Sequence, residues 1–411
     1  MRGKRRLVAI VVAACAVSAP TANAGLCDLI GTCSPPPGPA LGPDGALPAD
    51  TPLQPLPAPV AGAPLFDRVH GHLPLGLTER GYDGSTNGFG YAATAAQEAA
   101  FVRGIDGTMM RVPVSWAHGE PDAPVSGVHG YRWPRDDLYR GLVEHGMRPI
   151  LTLTTAPRWA LASTTGCTRV CAQPPGAGHA ADFAAFAAAV ARRYPLAAAI
   201  EIWNEPNNRS GSVQGPRPDE YAALLARAYD AIKAQRPAMR VLAGALGAYG
   251  SIPSQPTTVR DMRLGDYLQA MLAGGAAAHM DGLSFHPYPH SVAPSPDNGF
   301  ARVFGVVDDV LAANGESAVR RVPTEFGIST DEAGQVDRST ALQALWAELN
   351  ARDDVDAAIF HADVNNIDHD HYGWLSVVQN RTTFHPYRVW CDFARILAGQ
   401  TSCPATIRPP R

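Results

Sequence analysis

The stretch Ala199-Ile200-Glu201-Ile202-Trp203-Asn204-Glu205-Pro206-Asn207 opens as a short apolar run and ends in a polar turn containing proline. Upstream of it, Phe183, Phe186, Val190 and Tyr194 fall on one helical face. Downstream, Tyr221, Leu224, Leu225, Ala228 and Ile232 make a second such face, behind a helix start at Pro218-Asp219-Glu220. Helix, buried strand, helix is one period of an alternating α/β chain. The same kind of run recurs at His72–Leu77, Thr108–Val114, Met147–Leu153, Arg240–Ala245, Gly282–Phe285, Val322–Phe326 and Ala357–Phe360. That makes eight runs about 35–50 residues apart, with no internal sequence repeat. Alternating β and α units imply a parallel sheet, and eight of them close naturally into a (β/α)8 TIM barrel. A doubly wound open sheet is the alternative, and the apolar runs alone do not separate the two.

Composition sets the outer limits. Hydrophobic residues make up 46% of the 411 and charged residues 18%, enough to build a large core and too apolar for a disordered chain. The net charge is −4, and the first 24 residues contribute four bases and no acid, so the rest carries −8. A mildly acidic protein is a poor partner for nucleic acid or an anionic membrane. Residues 1–24 read as a signal peptide: bases at Arg2, Lys4, Arg5 and Arg6, an apolar run from Leu7 to Ala19, and the small-x-small site Ala22-Asn23-Ala24. The run is too short for a transmembrane segment. A secreted or cell-surface protein starting at Gly25 is expected. A rival reading takes Val12-Ala13-Ala14-Cys15 as a lipoprotein box with a lipid anchor on Cys15. Residues 25–65 are rich in proline, are expected to be a disordered linker, and should be dispensable for catalysis. The folded catalytic domain is expected over 66–403, with 404–411 as a short tail. Six cysteines remain after export, in three sequence-local pairs: Cys27 with Cys33, Cys167 with Cys171, and Cys391 with Cys403. Short-range pairing into three disulfides is the simplest of 15 connectivities. Free buried thiols are the alternative, and a zinc site lacks a second half at metal spacing. A monomer without a cofactor or metal is expected.

In a barrel of this type the chemistry lies at the C-terminal ends of the strands. Run four ends at Asn204-Glu205-Pro206, run six at His286-Pro287-Tyr288, and run seven at Thr324-Glu325-Phe326-Gly327; run two contains Arg111. Glu205 and Glu325 are 120 residues apart, three units of about 40, which places them on opposing strands facing each other across the mouth. Two carboxyl groups so placed suit cleavage of a glycosidic bond: one gives a proton to the leaving oxygen, the other attacks or stabilises the anomeric carbon. Repulsion from Glu325 is expected to keep Glu205 protonated in the free protein.

These residues resemble the clan A retaining glycoside hydrolases. The Asn204-Glu205-Pro206-Asn207 turn and the strand-six His286-Pro287-Tyr288 are similar to family 39 members, and Glu325-Phe326-Gly327 is similar to family 5 cellulases. The resemblance covers most of residues 66–400 and does not define the sugar. It implies that Glu205 is the acid/base and Glu325 the nucleophile of a double displacement on a β-linked polysaccharide or glycoconjugate. It further implies that Asn204 binds the 2-hydroxyl of the sugar, Tyr288 bonds or orients Glu325, Arg111 supports Glu325 electrostatically, and His286 lines the pocket. Such enzymes often have a tryptophan at the end of strand eight as the floor under the sugar. Here that run reads Phe360-His361-Ala362-Asp363, and Trp374 is expected to replace the floor from the loop.

Other features are open to two readings. His361, Asp363, Asp368, His369, Asp370 and His371 read as contacts to sugar hydroxyls, as a solvated loop, or as a metal cluster without diagnostic spacing. Trp116, Trp133 and Trp159 serve as stacking platforms or as packing, and Trp203 as barrel packing. The competing function is a catalytically inactive, sugar-binding barrel used as a lectin-like surface module. Such a module has no need for both carboxylates.

Overall fold

In a computed structural model the chain is described over residues 53–80, 93–167, 171–248, 261–289, 299–331, 333–365, 371–377 and 383–407. The signal segment, Cys15, Cys27, Cys33, most of the proline-rich linker, and Asp368, His369 and Asp370 lie outside these residues. Eight strands form one parallel sheet: β1 (Leu75–Thr78), β2 (Met109–Ser115), β3 (Arg148–Thr154), β4 (Ala199–Ile202), β5 (Arg240–Gly247), β6 (Gly282–His286), β7 (Arg320–Pro323) and β8 (Ala358–Phe360). Their order is β7-β6-β5-β4-β3-β2-β1-β8. Parallel bridges between Arg321 and Val355 and between Phe326 and Phe360 join the two ends, so the sheet is a barrel, not an open sheet. A helix follows each strand: α1 (Ala95–Arg103), α2 (Asp136–Glu144), α3 (Ala180–Arg193), α4 (Pro218–Gln235), α5 (Leu264–Ala273), α6 (Phe300–Ala313), α7 (Gln335–Asn350) and α8 (Arg388–Ile396). All eight apolar runs hold a strand.

Local chemistry explains the elements. Thr94 caps α1 in a reciprocal capping box with Gln97, and Pro218 opens α4 where its missing N–H costs nothing. The α3 and α4 stripes are buried as the helical period requires. Trp116 is fully buried against Phe183, Phe186 and Trp159, Trp133 stacks on Phe186, and Trp203 packs on Phe183, so these tryptophans belong to the layer between strands and helices. Cys167 is bonded to Cys171 and Cys391 to Cys403.

Inside the barrel, side chains stack in layers of opposite character. The lower layer is apolar: Met109, Ile150, Ala199, Leu242, Val322 and Ile359 form one buried cluster with Leu65 and Phe66. The strand repeat is two residues, so the residue two positions further on along each strand enters the next layer. That layer is polar: Arg111, Thr152, Glu201, Thr324 and His361 follow in this way and Ser284 joins them from β6, each 6% exposed or less.

The lower plug includes residues that precede the expected domain start. Leu65 is 2% exposed and its N–H donates to Asp356 Oδ2 at 2.8 Å. Arg240 donates to the carbonyls of Leu65 (2.5 Å) and Pro57 (3.2 Å), and Arg148 to that of Gln54 (2.7 Å). An extended proline-rich chain has no internal hydrogen bonds, so its carbonyls are free to accept from such arginines. Gln54, Pro57 and Leu65 are thus bonded to the barrel, and at the other end Ile407 is buried with its N–H on Phe384 O. Leu65→Ala is expected to lower stability by about 2–5 kcal/mol. Urea denaturation checks this; a loss under about 0.5 kcal/mol would mean that the segment is a mere tether.

Candidate active site

A cavity of about 430 Å³ opens at the C-terminal end of the barrel. Its wall takes Thr78 from β1, Arg111 and Pro113 from β2, Thr152 and Thr154 from β3, and Asn204, Glu205, Glu325 and His361 from just beyond β4, β7 and β8. The turn after β4 aims Glu205. Trp203 and Glu205 have φ of 73° and 46°, a left-handed backbone that non-glycine residues adopt at a cost of about 1–3 kcal/mol each. Surrounding bonds hold it in place. The Glu205 N–H donates to Ala245 O at 3.0 Å, in the irregular part of β5, and Trp203 Nε1 donates to Gly211 O at 2.7 Å. Asn207 bonds the backbone of Gly247 and Met262, so it ties this turn to the chain beyond β5 and has a structural role.

The two glutamates flank one imidazole nitrogen. His286 Nδ1 is 2.9 Å from Glu205 Oε1 and 4.0 Å from Glu325 Oε2, so these two oxygens are at most about 7 Å apart. Glu325 accepts from Arg111 Nη1 at 2.7 Å and from the Tyr288 hydroxyl at 2.6 Å, and His361 Nδ1 lies 3.4 Å away. Burial by itself would raise the Glu325 carboxyl. His361, His286, Arg111 and the Tyr288 donor together outweigh it and hold the group far below the usual carboxylate range. Burial and the neighbouring Glu325 push the Tyr288 phenol well up, so it keeps its proton and donates. Arg111 also donates to Asn204 Oδ1 at 2.6 Å. That bond fixes the amide with its oxygen toward the guanidinium and leaves Nδ2 as the donor.

Glu205 differs from expectation. Burial and the charge on Glu325 do push its carboxyl up, but His286 and Asn208 pull it down by more, and the net direction is downward. Asn208 Nδ2 at 2.7 Å and the Ser210 hydroxyl at 2.6 Å both donate to Oε2. In the free protein the surroundings of Glu205 therefore favour its ionised form. Repulsion between glutamates is visible in the sequence; the three donors are brought in by the fold.

Other expected residues divide. Asn204 and Arg111 line the cavity, and Arg111 and the Tyr288 hydroxyl donate to Glu325. His286 is wholly buried behind Glu205 instead of lining the cavity. Trp374 is not a floor under a ligand: it is fully buried against Phe360 and Phe393, because the chain after β8 turns it toward α8. His361 takes that place at the end of β8. Of its cluster, Asp363 is buried and accepts from the N–H groups of Arg80 and Val364, and His371 pairs with Asp331. Among the described residues no group of three or more His, Cys, Asp or Glu is arranged to hold a metal ion. The sequence reading missed the threonines of β3, the Asn208 and Ser210 donors, and Glu201. A charged residue within a four-residue strand buried throughout is a usable signal for the last of these.

No protein-family model matches the chain, and no curated protein matches it in sequence. Solved structures do match. A family 39 glycoside hydrolase from the gut symbiont Bacteroides cellulosilyticus aligns at a TM-score of 0.56 and 17% identity, over 79% of this chain and 64% of its own. A monomeric β-xylosidase from Caulobacter crescentus aligns at 0.58 and 19%, over 83% and 69%. A family 39 enzyme from Xanthomonas axonopodis aligns at 0.59 and 16%, over 81% and 67%. The chain thus spans less than two thirds of the length of the first. At these identities the shared property is the (β/α)8 fold.

Gly211 is the tightest point of the turn, since a Cβ there would meet Asn204 O at 1.9 Å and Glu205 O at 2.3 Å. Gly211→Ala is expected to displace Glu205 and to cost about 1–3 kcal/mol. A urea midpoint equal to that of the parent chain would show that the turn yields freely.

Proposed function

We propose that the protein is a retaining glycoside hydrolase acting on β-linked sugars. The observation that supports this most is the placement of Glu205 and Glu325 around His286 Nδ1, in one cavity, with the second held ionised by His361, His286, Arg111 and the Tyr288 donor. The structural neighbours, among them a β-xylosidase, support the same reading. A Glu325 oxygen attacks the anomeric carbon while the bond to the leaving oxygen breaks, and Glu205 delivers a proton to that oxygen. Water then attacks the glycosyl ester, Glu205 takes its proton, and the sugar leaves with its configuration retained. For the first step Glu205 must gain a proton. Bound sugar excludes water from the cavity, which raises the carboxyl, and the Ser210 hydroxyl turns from Glu205 to the ligand. Asn204 Nδ2 is the donor placed for a sugar hydroxyl.

Buried beside Arg111 and Tyr288, an ionised Glu325 is costly to maintain in a module that only binds, which counts against the lectin-like alternative. Two disulfides fit an oxidising compartment, and no helix among the described residues is long and apolar enough to cross a membrane. We take the protein to be exported by its N-terminal segment.

The two glutamates should fail differently. Glu325→Ala should lower turnover of every aryl β-glycoside by more than about 10³-fold. Azide should then restore it and give the α-glycosyl azide. Glu205→Ala should harm poor leaving groups most, and azide should give the β-glycosyl azide. Equal loss on all leaving groups in both variants, with no azide product, would contradict the assignment.

A further inference from the structure

Glu201 lies on β4, is 0% exposed and takes no part in the cavity wall. A carboxylate in that place is destabilising unless paired with a cation. Its Oε2 accepts from Arg111 Nε at 2.8 Å and from Thr152 Oγ1 at 2.7 Å, and it lies 2.7 Å from Arg111 Nη2. Arg111 therefore puts two of its three nitrogens on Glu201. Nη2 is shared with Asn204 Oδ1, and only Nη1 is left for Glu325.

Two effects follow. The plane of the guanidinium is fixed from below, so Nη1 is aimed at Glu325 and the Asn204 amide is locked. The charge is also divided. Facing Glu325 alone, a buried arginine would spend its whole charge on that carboxylate and make it a weaker nucleophile and a better leaving group. With Glu201 on its other edge, Arg111 is largely neutralised before it reaches Glu325.

We propose that Glu201 is a positioning residue that, by sharing Arg111, sets the balance between forming and breaking the bond from Glu325 to the sugar. This rests on the glycosidase reading. The probe is 2,4-dinitrophenyl 2-deoxy-2-fluoro-β-xyloside or its glucoside, used at saturation. Glu325 bonds to the anomeric carbon as dinitrophenolate departs with the electron pair of the broken C–O bond. Water later cleaves the ester, returning the carboxylate and releasing the fluorosugar. Dinitrophenolate release gives the first rate and recovery of activity the second.

In Glu201→Gln the first rate should fall about tenfold or more, while the second stays equal or rises. A merely structural role would slow both together, and that parallel fall, or no change in either, would overturn the proposal. Thr152→Val keeps the side-chain volume but removes a buried hydroxyl, so a urea midpoint close to that of the parent chain must accompany it. The change removes a donor from Glu201, strengthens its hold on Arg111, and should lower the ratio of the second rate to the first about two- to threefold, whatever the altered cavity wall does to both. A parallel change there overturns the proposal as well. Should the parent chain form no adduct with either reagent and turn over no aryl β-glycoside, the glycosidase reading itself falls, which is distinct from an active parent whose variants lose both rates alike.

Discussion

A guanidinium 2% exposed at the centre of a barrel governs most of what surrounds it. Arg111 cannot lose its proton, so every burial of it must be met by anions and acceptors. They come from β4 as Glu201, from the turn after it as Asn204, and from the end of β7 as Glu325. Opposing strands are thereby fixed across the barrel by one side chain. The apolar plug beneath keeps water out of this layer from below. The polar residues above it thus meet one another in place of solvent, and that strengthens each charge interaction.

The electrostatics of the two glutamates follow from which neighbours each strand end supplies. Glu325 faces cations and a phenol, so it is held ionised although buried. Glu205 faces His286 and two polar side chains of its own turn, so it too is ionised at rest. A pair of groups that both start ionised can begin a double displacement only after one gains a proton. The cavity mouth, where Ser210 stands, is the place at which a ligand changes that state.

Much of this was legible in the sequence, for definite reasons. Parallel strands are buried on both faces and read as unbroken apolar runs, and the rule that chemistry lies at their C-terminal ends then singles out Glu205, Glu325 and Arg111. The strand starts were less exact: β7 begins at Arg320, ahead of the apolar run at Val322, because charged side chains at the barrel rim carry no apolar signal. Leu65 was hidden by the prolines before it. Trp374 failed because a sequence does not say which way a loop tryptophan turns, and here α8 offered it Phe393. Glu201 passed unnoticed inside an apolar run, where its meaning depends on an arginine 90 residues away.

The central claim is that Glu325 bonds to the sugar, and the most direct test is the configuration of the first product. Proton NMR of a turned-over aryl β-glycoside, recorded before mutarotation, shows the anomeric signal as it is released. Double displacement through Glu325 releases the β-anomer, through two inversions at one carbon. An α-anomer appearing first would mean a single displacement by water, and would contradict the role of Glu325 and the charge balance built around Arg111.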